Sequence, residues 1–237
     1  MKTILKLTIK KLKNNPLIII LLAIFYLYFL YLLIFLRDFN TGISNLTLVL
    51  PYCALIATGG IIKDEIRLGH IDFFIYKISR SKIILGKFFT LTILAMAYVF
   101  LIILSTLVIY LIMGEASLNL PKIFIKGEVC IVISIYLISI GIFLSCYLKG
   151  LMNFVLVFFI EFFVVISLDY INVLELFETG ILNLTQKIEV ALLSFLFPHL
   201  IILRNNQIFL LVLLFYAFIF LYLSIYKFNN MELKREL

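Results

Sequence analysis

Few residues in this chain are equipped for chemistry, and their surroundings limit what that chemistry could be. Glu161 is a carboxyl set inside an apolar run, near mid-depth if the run crosses a bilayer. An acidic group there costs roughly 2.5–3.5 kcal/mol on insertion scales, so it must face protein or a water-filled cavity. It either meets a cationic or hydrogen-bonding substrate or, protonated, bonds a neighbouring helix. The 2 histidines, His70 and His199, are far apart, and neither has a carboxylate or cysteine at ligand spacing. No metal site is expected. Cys53, Cys130 and Cys146 each sit within an apolar run and read as small buried hydrophobes. No Gly-x-Ser-x-Gly, paired-carboxylate or His-Glu-x-x-His pattern appears, which leaves an intramembrane enzyme poorly supported.

The densest polar stretch is KDEIRLGHIDFFIYKISRSKIILGK, beginning at Lys63. Ile66, Ile71, Phe73, Phe74, Ile75 and Ile78 are apolar, yet the stretch is too charged to span. A short amphipathic helix fits, broken by Gly69 and by Ser79-Arg80. Aromatic anchors beside charges are what a docking surface needs; a helix resting on lipid headgroups would read the same way. Gly86-Lys87 lacks the upstream glycine and the following Ser or Thr of a phosphate loop.

The elements that position these residues follow from composition. Of 237 residues, 65% are hydrophobic and 14% charged. A soluble domain carries roughly 25% charged residues, and the apolar surplus here exceeds what so small a core can bury. It must face lipid. The net charge of +7 lies between apolar runs, with no basic patch interleaved with stacking aromatics, so nucleic acid is set aside. The fold class expected is an all-α integral membrane protein with six transmembrane helices.

Residues 1–14 read as a basic interfacial helix, with Lys2, Lys6, Lys10 and Lys13 on one side and Leu5, Thr8, Ile9 and Leu12 on the neighbouring arc. Leu7 and Lys11 fit that pattern less well. Residues 15–237 form the membrane domain, with 63–87 as a cytoplasmic loop. The spans expected are Leu17–Leu36, Leu46–Ile62, Phe88–Met113, Glu128–Tyr147, Leu151–Leu168 and Ile208–Tyr226. Val190–Leu203 is too short for a crossing and reads as a re-entrant outer segment before the last helix. Pro51 and Gly59-Gly60 mark the second span as deformable or closely packed. Lys149-Gly150 makes a tight turn.

Orientation follows from the basic residues. With both termini inside, only Arg37, Lys122, Lys126, Lys187 and Arg204 of the 20 Lys and Arg fall outside. That bias predicts a multi-pass cell-membrane protein with cytoplasmic termini.

The order Asp64-Glu65, Gly69, a short aromatic helix, Ser79-Arg80, then Gly86-Lys87 opening the next span resembles the loop after the second span in type-2 ABC transporter permeases. The layout resembles that family as well: an interfacial N-terminal helix, six spans and a re-entrant segment before the last one. Members often carry a proline before the Ser-Arg pair, where this chain has Ile78. The resemblance implies an exporter subunit moving a hydrophobic or amphipathic cargo such as a peptide, lipid or drug. Residues about Leu68 to Lys77 would be the coupling helix, and Glu65, Gly69, His70, Phe73, Phe74, Tyr76, Ser79, Arg80 and Lys87 would contact or support the ATPase docking site. It implies a second permease chain, identical or related, around a central path. It also implies a separate ABC ATPase that carries the ATP and magnesium. In that family the second and fifth spans flank the path, which makes Tyr52, Thr58, Asn153 and Glu161 the candidate lining. The alternative is an ATP-independent channel or secondary transporter; inverted repeats would favour it, and the two halves show no convincing repeat.

Overall fold

The structure, a computed structural model, describes residues 2–13, 15–36, 49–67, 78–113, 120–167 and 208–231. All of its regular elements among the described residues are helices. Helix α1 covers Lys2–Lys13, and α2 covers Pro16–Tyr31, running on through a π-helical turn at Leu32–Leu36. Residues 49–57 form α3, followed by turns over 58–62 and the short α4, Lys63–Arg67. Then come α5 (Arg80–Met113), α6 (Leu120–Ser145), α7 (Met152–Ser167) and α8 (Ile208–Asn229).

Among the described residues, four stretches are long and apolar enough to cross a bilayer: Pro16–Phe35, Arg80–Ile112, Ile123–Ser145 and Leu210–Asn229. They answer to the first, third, fourth and last of the expected spans. The second and fifth expected spans are described only through 49–62 and Met152–Ser167. The segment 190–203 lies outside the described residues.

Two helices start earlier than the sequence reading, and α3 stops at 57, short of the expected Ile62. Helix α5 starts at Arg80 rather than Phe88, because the Ser79 carbonyl accepts from the amides of Lys82 and Ile83 and so caps the first turn. Lys87 therefore sits inside a continuous helix instead of opening a span. Helix α6 starts at Leu120 rather than Glu128, with Pro121 in its first turn, where its missing N–H is not needed.

Helix α6 is the axis of the bundle. Cys130, Leu137, Ile138 and Ile142 along it are fully buried, as are Ser134 and Ser139. Their hydroxyls donate to the carbonyls of Cys130 and Ile135 one turn back, so neither is left open to hydrocarbon. Leu213, Ala217, Leu221 and Phe228 bury one side of α8, which packs along α6. Ile84, Leu91, Val99 and Ile102 do the same for α5. The other faces of α2, α5 and α8 expose large apolar side chains, among them Leu27, Phe35, Phe100, Leu111, Leu211 and Tyr222. Lipid is the solvent such faces suit.

Helix α1 packs on α5 and α2. Its buried stripe is Ile4 and Thr8, continued by Lys11, which is half-buried. Leu5, Leu7 and Ile9 stay exposed. The stripe is rotated from the arc expected from the wheel, because Ile4 seats against Gly86 and Lys11 has a polar target below it.

Candidate functional site

The chemistry-bearing side chains gather where α3 ends, α4 begins and α5 takes its first turns. The chain leaves α3 through Gly59 and Gly60. Gly60 has φ +59°, the left-handed region in which a side chain would be strained, and a Cβ there would overlap the Asp64 carboxylate. The turn aims the Gly60 and Ile61 carbonyls inward. Lys11 Nζ donates to Gly60 O at 3.1 Å, and Lys87 Nζ donates to Ile61 O at 2.5 Å.

Lys87 is the deepest charge in this knot. Its side chain is 4% exposed, and it forms an ion pair with Glu65, which is 19% exposed. Lys11 stands 4.0 Å from the other carboxylate oxygen of Glu65 and is 39% exposed. One carboxylate thus serves two ammonium groups. A buried lysine with one carbonyl alone would be poorly compensated, so Glu65 is what lets the ammonium stay charged inside the bundle.

Asp64 completes the join on the other side. Its Oδ2 accepts the backbone N–H of Gly150 at 3.2 Å, linking α4 to the turn between α6 and α7. Gly150 has φ +58°, as a tight turn at Lys149-Gly150 requires. Lys63 Nζ donates to the Tyr147 carbonyl in the same turn. Lys227 of α8 stands 4.8 Å over the Tyr147 ring. Arg80 closes the set. One of its terminal nitrogens donates to the carbonyls of Phe228, Asn229 and Met231 at 3.1, 2.9 and 2.8 Å, capping the C-terminal end of α8. A cation there also complements the partial negative charge of a helix end.

Glu65, Ser79, Arg80 and Lys87, four of the expected coupling residues, are therefore placed at the two ends of the 68–77 segment. Gly69, His70, Phe73, Phe74 and Tyr76 lie outside the described residues. Of the expected path residues, Thr58 and Asn153 meet: Asn153 Nδ2 donates to Thr58 Oγ1 at 2.8 Å, and Thr58 Oγ1 donates to Leu55 O at 2.6 Å. Both are fully buried, and this pair joins the turn after α3 to the start of α7. They come together because Gly141 of α6 gives them room; a Cβ at that glycine would overlap Thr58 Oγ1. Tyr52 is partly buried against the cluster formed by Leu55, Tyr136 and Leu213. Glu161 lies in α7, and its side chain is outside the described part of the structure.

Sequence reasoning passed over Lys11, Lys63, Asp64 as an acceptor, Gly141 and Lys227. Lys11 had left a trace, as the lysine that broke the amphipathic pattern of α1. Gly141 had none, because a glycine in an apolar run reveals its neighbour only after the helices are packed. Set against family models, curated proteins and solved structures, the chain matches none of them.

Proposed function

We propose that this chain is the membrane-spanning permease subunit of an ATP-driven exporter of the type-2 ABC class. It would reside in the cell membrane with both termini in the cytoplasm. Two permease chains, identical or related, would enclose a path for a hydrophobic or amphipathic cargo. A separate ABC ATPase would hold the ATP and magnesium.

The observation that carries this reading is the anchoring of the 68–77 segment at both ends. On one side Glu65 leads into the segment and is paired with Lys87; on the other Ser79 and Arg80 begin α5. A force applied to the segment would therefore pass into α5 through Lys87 and into the α6–α7 turn through Asp64 and Gly150. Thr58, just before the Gly59-Gly60 turn, and Asn153, just after Gly150, lie next along the chain; fully buried and bonded to each other, they would brace the path, and Tyr52 and Glu161 are the lining we propose. Such a linkage transmits work only if the ATPase grips the segment differently in two states.

The experiment is co-purification with a photocrosslinker at Phe73 or Tyr76 in the native membrane. Capture of an ATP-hydrolysing subunit is expected. If no such subunit is captured and ATP leaves transport unchanged, the exporter reading fails and an ATP-independent channel or secondary transporter replaces it. Within the exporter reading, Glu161→Gln and Glu161→Leu are expected to differ in transport. Wild-type transport by both would remove Glu161 from the path.

A further inference from the structure

A groove of about 520 Å³ lies between α1, α2, α3 and α5. Ile18 and Leu22 form one wall, Leu94 and Tyr98 the opposite one, and Ala54 and Ala57 the floor. The lining is hydrocarbon almost throughout. The Tyr98 hydroxyl is turned away from duty as a ligand group, since it donates to Leu22 O at 2.8 Å. Lys13 is the one charged residue among those that line it, and it sits at the C-terminal end of α1.

We propose that this groove holds an acyl chain of an anionic phospholipid, with Lys13 at the headgroup. Three features select that occupant. A site for a small polar solute places several polar groups around the ligand, and this lining has a single cation at one end. The capacity is right: a methylene takes about the room of a water molecule, ~30 Å³, so the groove holds roughly 17 of them, one long acyl chain. The charge is right as well. Lys6, Lys10 and Lys13 are all exposed on α1, and an interfacial basic helix stands at the level of anionic headgroups. Ala54, Ala57, Ala95 and Ala97 keep the groove open where larger side chains would have closed it. The lipid also completes the packing of α1, whose Ile9 and Leu12 line the groove beside Lys13. The inference rests on α2 and α5 lying in a bilayer and is independent of the exporter proposal: it stands whether or not an ATPase accompanies the chain.

The test reconstitutes the full chain in nanodiscs of equal parts phosphatidylglycerol and phosphatidylcholine, extracts it gently and counts retained lipids by native mass spectrometry. The wild type is expected to retain phosphatidylglycerol over phosphatidylcholine by about fivefold, which is what one lysine near an anionic surface contributes. Lys13→Gln should bring the two lipids level. Ala97→Phe, at an exposed position of the lining, should abolish retention of either; if that variant does not fold, Leu94→Trp fills the same groove from another exposed position. A photocrosslinker at Leu94 should label phospholipid. Equal retention of both lipids by the wild type overturns the proposal. So does undiminished retention by the folded filled variant. Capture of a second copy of the chain from Leu94 assigns the groove to a subunit interface and overturns it too.

Discussion

Replacing Glu65 with alanine removes the counter-charge of Lys87 and leaves the ammonium with the Ile61 carbonyl alone. Breaking a buried ion pair by deleting one partner costs about 3–5 kcal/mol, because the remaining charge is uncompensated. The lower end applies here, since Glu65 is 19% exposed and Lys87 keeps one acceptor. A loss of ~3 kcal/mol in a chain of this size corresponds to a fall in Tm of roughly 6–12 °C. The reverse deletion should be milder. Lys87→Met puts an unbranched apolar side chain into the same buried space, and the Glu65 left behind is nearer solvent and retains Lys11 at 4.0 Å. The double variant Glu65→Gln with Lys87→Met should be more stable than Glu65→Ala alone, because neither buried charge remains. Cys53, Cys130 and Cys146 are all buried thiols, so a thiol-reactive dye reports unfolding in detergent directly. Equal losses from the two single deletions, or a double variant no better than Glu65→Ala, would show that Lys87 is not held in place by Glu65.

Further expectations concern the joints between helices and can be read by the same dye. Asn153→Leu removes the donor to Thr58 and should cost about 1–3 kcal/mol, with Asn153→Asp no better because a carboxylate cannot donate. Gly141→Ala should cost about 1–3 kcal/mol by crowding Thr58, and Thr58→Ala in the same chain should recover part of it; no recovery would locate the clash elsewhere. Gly150→Ala should cost about 1–2 kcal/mol from backbone strain alone, since nothing lies within 4 Å of its added Cβ. Gly60→Ala should cost more than Gly150→Ala, because Asp64 must also move and release the Gly150 amide. Arg80→Lys should lower stability by about 1–2 kcal/mol despite keeping the charge, since the planar guanidinium stands 6.0 Å over the Phe228 ring while it holds the carbonyls at the end of α8; hydrogen exchange should then rise at Phe228 and Asn229 first.

Part of the site was legible because it is written in chain order. Glu65 and Lys87 flank one charged segment, and Lys149-Gly150 reads as a tight turn in the sequence itself. Gly59-Gly60 read as part of a span and Ser79-Arg80 as a helix break, where the structure has a turn that ends α3 and the start of α5. Thr58 and Asn153 read in the sequence as path lining; their direct bond inside the bundle is a packing contact that only the fold revealed. The rest was hidden by distance along the chain. Nothing local says that Lys11 would reach the Gly60 carbonyl, that Lys63 and Lys227 would converge on Tyr147, or that Arg80 would close the end of α8. The early starts of α5 and α6 were missed for a related reason. Hydropathy marks where a helix enters lipid, whereas capping and tertiary anchors mark where it begins.

Amino-acid order alone determined that this is a helical chain whose long apolar runs suit a bilayer, because in hydrocarbon every backbone amide must be satisfied within its own segment. It also determined where the charges interrupt those runs. Only the packed bundle decided which charges meet. A lysine carries no sign of its partner until α1, α4 and α5 are brought within a few ångströms, and its burial then makes that partner obligatory.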